Sequence, residues 1–210
     1  MADILIKIKS NIDNLSEYQC GNLPLNAVKL KTPTTDDMPK KAFPIAVVMC
    51  VIMFISMFCK TFINRMPVTN PVFIMTGAAL GIALLWVHEF LHAIVYPENA
   101  VVTIGKLKNK FVFVALASYP LKRNRFVIMC LLPFILGIVP LTVFLCSSPD
   151  LAALNGIMFG MAFIGMVSPY PDVYNTGIVL KQAEKGDSIM FYKDDMYRIP
   201  NQKNTTNSDL

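Results

Sequence analysis

Charge is scarce in this chain: 16% of its 210 residues are Asp, Glu, Lys or Arg, against about a quarter in an ordinary soluble domain. With 54% hydrophobic residues and a mean hydropathy of +0.51, that shortage excludes a soluble globular protein and implies an integral membrane protein. Histidine is scarcer still, with two residues, and glutamate is limited to four, so a site built from imidazoles and carboxylates has few places to form. The five cysteines, Cys20, Cys50, Cys59, Cys130 and Cys146, show no C-x-x-C spacing, which excludes a disulfide framework and a cysteine-based metal site. No apolar run follows a basic start, so no cleaved signal peptide is expected, and no internal repeat is present.

What the chain has in abundance is long apolar stretches. Residues 42–63, 71–96, 126–146 and 151–180 are each long enough to cross a hydrocarbon core, which takes about 20 helical residues. The links within the first and last pairs are short, so each pair reads as an antiparallel hairpin. Of nineteen Lys and Arg, six precede the first span, six lie between Lys106 and Arg125, and five follow from Lys181 on. The positive-inside rule then puts both termini and the middle loop in the cytoplasm of a four-span cell-membrane protein. Lys122, Arg123 and Arg125 read as part of that topology signal, facing anionic lipid, and no nucleic-acid partner is implied.

The expected architecture is an all-α membrane protein. Residues 1–41 form a polar cytoplasmic leader, 42–180 the membrane domain, and 181–210 a cytoplasmic tail that is disordered from Asn201 on. In the leader, Ile4, Ile8, Ile12 and Leu15 recur at helical spacing, compatible with an amphipathic helix on the membrane surface or with a weakly ordered segment. Between spans two and three, the β-prone runs 101–104 and 111–114 flank Gly105 and a lysine-rich stretch, suggesting a small cytoplasmic hairpin. Its edge could hold an extended peptide by strand addition, or carry no ligand.

Both histidines fall in the second span, in His88-Glu89-Phe90-Leu91-His92. This is an HExxH motif: on a helix the two imidazoles leave one face a turn apart and can close on one zinc, with Glu89 beside them as a candidate general base. A pair of histidines satisfied by neighbouring polar groups is the alternative, but such a cluster inside a membrane is costly without a metal, partner or water.

A third ligand must come from elsewhere. Asp150 belongs to the far side of the bilayer, and Glu98 follows Pro97, where the helix ends. Asp172 is the better candidate, because spans two and four run in the same direction. His88 lies nine residues before Pro97 and Asp172 nine before Lys181, so at 1.5 Å per residue both sit about 13 Å inside their spans. Gly77 and Gly81 on the face of His88, and Gly165 on that of Asp172, would let spans two and four approach closely. Pro169 and Pro171 would open the fourth helix beside the site.

On these residues, from His88–His92 through Asp172 and Asn175, the chain resembles the zincin peptidase family of small bacterial membrane proteins, once a domain of unknown function. It is more distantly similar to the site-2 proteases, which cut within the membrane. The resemblance implies His88, His92 and Asp172 as zinc ligands and Glu89 as the base. Ser168-Pro169 stands ahead of Asp172 where site-2 proteases have Asn-Pro, and Val173 follows where they usually have Gly. Asn175 is the substitute, to stabilise an oxyanion or to support a metal ligand.

The expected function is therefore a zinc metalloprotease cutting a peptide or membrane-protein substrate near the cytoplasmic side of the bilayer. A metal-binding or transporting membrane protein, and an inactive pseudo-peptidase that binds a partner, are the alternatives.

Overall fold

Proline marks two of the three helix breaks in this chain, and glycine marks where helices touch most closely. The computed structural model describes residues 5–108 and 112–201. Among them are four helical stretches long and apolar enough to cross a membrane: Met38–Asn64, Pro71–Ala93, Arg123–Cys146 and Ala152–Gln182. The chain is a membrane protein, and its spans start and end within a few residues of those expected. Only the first stretch is one helix, α1 (Met38–Asn64); the second divides into α2 (Pro71–Ala83) and α3 (Leu85–Ala93). The third is α4 (Arg123–Leu131), a 3-10 turn over Leu132–Phe134 and α5 (Ile135–Cys146), and the fourth is α6 (Ala152–Val167) and α7 (Tyr170–Gln182). Pro133 sits in the break of the third and Pro169 in that of the fourth, where a missing N–H interrupts the ladder.

The four expected helical stretches are present, but the chain is not purely all-α: among the described residues there are also seven strands in two sheets. In the first sheet, β1 (Leu5–Ile12) pairs in parallel with β3 (Val101–Leu107), which pairs antiparallel with β4 (Phe113–Leu116). The hairpin expected after span two is thus present, although residues 109–111 of its turn lie outside the described residues. The leader is neither a helix nor unformed over Leu5–Ile12. Ile6 and Ile8 alternate with Lys7 and Lys9, a period of two that suits β-branched side chains better than the helical spacing does. β1 bulges between Lys9 and Ile12, beside Gly105, where a Cβ would meet the Lys9 carbonyl at 2.7 Å.

The second sheet runs in the order β2 (Val28–Lys29), β7 (Asp195–Ile199), β6 (Ser188–Tyr192), β5 (Leu121–Lys122), all antiparallel. Buried Asp187 secures it, accepting from the backbone N–H of Glu184 at 2.9 Å and of Asn201 at 3.3 Å. Lys29 donates to Asp195 across β2 and β7 at 2.5 Å. That hydrogen bond holds the lysine above its ordinary value, so the tie weakens only as the pH rises past the lysine's own titration. The expected disordered tail lies, beyond Asn201, outside the described residues.

Hydrogen-bonded strands must share a compartment. This sheet takes β2 from before the first span, β5 from between the second and third, and β6 and β7 from after the fourth. Crossing of the membrane by all four candidate stretches would meet that condition, since it puts two crossings between β2 and β5 and two between β5 and β6.

The chain divides into two compact units, one from the described parts of residues 1–38, 89–130 and 175–210, the other from residues 39–88 and 131–174. The first holds both sheets, with Ile12, Leu107 and Leu116 forming one buried cluster. The second is helical. There α2 and α6 meet backbone to backbone: a Cβ on Gly77 would run into the Ile157 carbonyl, and one on Gly160 into the Ile74 carbonyl. Gly165 does not join this seam; it abuts Gly137 and Leu136 of α5. Met53, Val68, Phe144, Phe159 and Ala162 fill the core, while Phe43, Phe54, Phe58 and Phe62 of α1 stand exposed, as side chains facing lipid would.

One cation is buried in this unit. Lys60, 6% exposed, donates to the carbonyl of Ser147 at 2.9 Å and Oδ1 of Asn155 at 2.7 Å, and also to the Phe144 carbonyl. The ammonium thus meets the unpaired carbonyls at the C-terminal end of α5, where positive charge is favoured. Lys60→Met would keep the stem and remove the donors; the Ser147 hydroxyl, in reach of both the Phe144 carbonyl and Oδ1 of Asn155, can satisfy one of them, and the acceptors left over cost about 1–3 kcal/mol each. A lowered midpoint of unfolding in detergent checks this; an unchanged one would show that the network contributes no stability.

Candidate metal centre

α3 carries three buried polar side chains in nine residues. His88 is 7% exposed, Glu89 9% and His92 8%. His88 and His92 are one turn apart, so they share a face of the helix.

Asp172 stands in the first turn of α7, the end of a helix that favours an anion. Its backbone N–H turns back to the Pro169 carbonyl at 3.0 Å, which winds the turn tightly after the break. Its Oδ2 lies 3.4 Å from Nε2 of His88. Two ligands of one tetrahedral zinc, each bonded at about 2.0–2.1 Å, stand about 3.3 Å apart, so the pair has the spacing such an ion would impose. Among the described residues, His88, His92 and Asp172 form a group in which each could give one atom to a metal. Two imidazoles and a carboxylate suit zinc, and three protein ligands leave a position for water.

The orientation of His92 is set by a backbone group. Nδ1 of His92 lies 2.9 Å from the Met129 carbonyl. A carbonyl only accepts, so Nδ1 carries the proton and the lone pair resides on Nε2, the state of a histidine ready to bind metal. Arg125, one turn before Met129 on α4, donates to the Val95 carbonyl at 2.6 Å. It thus caps the chain leaving α3, and Arg123 donates to the Leu180 carbonyl at 3.2 Å. Both arginines therefore have intramolecular roles beyond the topology signal expected of them. Tyr96, just past α3, is 4% exposed, and burial pushes its phenol up, so it stays neutral.

Asn175 lies three residues after Asp172 on α7, and its buried Oδ1 has no hydrogen-bond partner among the described residues. An orphan acceptor calls for an N–H, whereas oxyanion stabilisation would draw on the amide's other end. Beside His88 is a water-sized recess of about 10 Å³, walled by Leu84, Leu85, Leu136 and Met161 and by Ser168, whose buried Oγ also has no partner among the described residues.

The Met129 carbonyl was not singled out in the sequence, and Arg125 was read there only as part of the topology signal. A carbonyl has no residue signature, but Pro133, four residues after Met129, marks it as one deprived of its helical donor.

A sequence-family model described as "putative zincin peptidase" matches residues 81–186, half of the chain. The matched stretch contains the HExxH motif, Asp172 and Asn175. No curated protein and no solved structure matches.

Proposed function

Since the chain belongs to the putative zincin peptidase family, we propose that it is a zinc-dependent peptidase embedded in the cell membrane. It acts on a peptide or membrane-protein substrate near the cytoplasmic side of the bilayer, with both termini in the cytoplasm. The excess of Lys and Arg in the three segments that flank the spans supports that orientation. The observation that carries the reading is the 3.4 Å approach of Asp172 to His88, on a helix whose next turn presents a second histidine.

His88, His92 and Asp172 would hold the ion. Zinc, when bound, supplies Lewis acidity and lowers the pKa of water towards neutrality. Glu89 takes the proton from the attacking water and hands it to the leaving amine. Asn175 hydrogen-bonds the peptide, its buried Oδ1 taking a backbone N–H. The recess beside His88 is of the size that holds a single water next to the would-be ligand.

The test joins elemental analysis to mapping of cut sites. Protein purified in detergent should hold about one zinc per chain. Incubated with membranes from cells lacking it, it should generate new peptide N termini that disappear when a chelator strips the zinc and return when zinc is restored. A folded chain that takes up no zinc, or that holds zinc and yields no new termini, ends this reading.

A further inference from the structure

In an α-helix the Met129 carbonyl would accept from the backbone N–H four residues on. That residue is Pro133, which has none. α4 stops at Leu131, and the chain enters a 3-10 turn with Pro133 buried inside it. A carbonyl left without its helical donor among apolar side chains must find another, or bear the cost of burial unpaired. Here the donor is the imidazole of His92, at 2.9 Å. Arg125 and Met129 lie four residues apart on one face of α4, and both reach the end of α3, at Val95 and at His92.

We infer that Pro133 is a positioning residue for the metal centre: by withholding a backbone N–H it reserves the Met129 carbonyl for His92, fixing the Nδ1–H tautomer and leaving the Nε2 lone pair for the ion. The consequence for metal affinity rests on the peptidase reading of the site; the consequence for the tautomer does not. A proline that served only to bend span three would act through backbone shape and leave the tautomer alone. The same span contains a control, Pro140, which lies buried within α5 without ending that helix.

The chain's two histidines allow the tautomer to be read directly. The metal-free full chain is labelled with ¹⁵N-histidine and its ring nitrogens are recorded in detergent micelles at about pH 8, where an ordinary imidazole is neutral. His88→Ala assigns the two rings. His92 of the wild type should carry its proton on Nδ1. Pro133→Ala restores a competing N–H and should move His92 towards the Nε2–H form. It should also weaken zinc binding by about 10–100-fold, the usual effect of losing an outer partner of a ligating histidine. Pro140→Ala should change neither. A wild-type His92 protonated on Nε2 overturns the inference whether or not any variant folds. So does a Pro133→Ala protein with the wild-type tautomer, even if its zinc affinity falls. A shifted tautomer in a chain that never binds zinc would uphold the positioning of His92 and end the peptidase reading instead.

Discussion

Asp172→Ala is expected to leave a folded protein that no longer retains zinc and has only background peptidase activity. The carboxylate is one of three donors, and its oxygen stands 3.4 Å from the His88 nitrogen. Without it two imidazoles remain, one turn apart, on a helix that offers no third group at that spacing. Since outer partners of a metal ligand are already worth 10–100-fold in affinity, loss of a ligand should cost more than about 100-fold. The fold should survive, because a carboxylate in the first turn of a helix contributes only about 0.3–1 kcal/mol through the dipole. Zinc per chain by elemental analysis, beside a melting curve, reads both quantities. A variant that melts like the wild type and keeps its full zinc would remove Asp172 from the ligand set.

Glu89→Gln separates chemistry from binding. The amide has the shape of the carboxylate and can hydrogen-bond in its place, but it cannot take a proton from water. Zinc content should therefore stay at the wild-type level while the turnover of a cut peptide falls by about 10²–10⁴, the range attributed to general acid–base catalysis. Zinc lost along with activity would make Glu89 a ligand; activity retained would move the base elsewhere. A transporter would be indifferent to this change, so the variant also distinguishes peptidase from metal carrier.

The four spans were legible because a bilayer demands length and apolarity in one uninterrupted run, and nothing else in the chain imitates that. The HExxH spacing was legible for a similar reason, in a chain with two histidines to place. That Asp172 would approach His88 followed from two spans running the same way, a constraint that few other carboxylates met. The strands were harder to see. At the N terminus, isoleucines four apart also lie two apart, so Leu5–Ile12 matched helix and strand templates together, and β3, which settles the matter, lies beyond two membrane crossings. β2 and β5 contain two residues each; they have no pattern of their own and exist because a neighbouring strand offers an edge. Gly165 was placed on the wrong seam because a small residue announces close approach without naming the partner, and α5 was as available as α2. The break at Leu84, immediately ahead of the motif, has no proline or glycine to signal it.

The order of strands in the second sheet bears on how the protein is made. β2 is synthesised before any span and β5 midway, yet each pairs only with β6 or β7, the last strands to be translated; Val28 finds its partner in Arg198. Such pairings carry a high loop-closure cost and form slowly. Until the last strands are translated, the edges that β2 and β5 present have no partner in this sheet. The sheet is therefore closed by the end of the chain: loss of β6 and β7 would leave both earlier strands without the edge that gives them their structure.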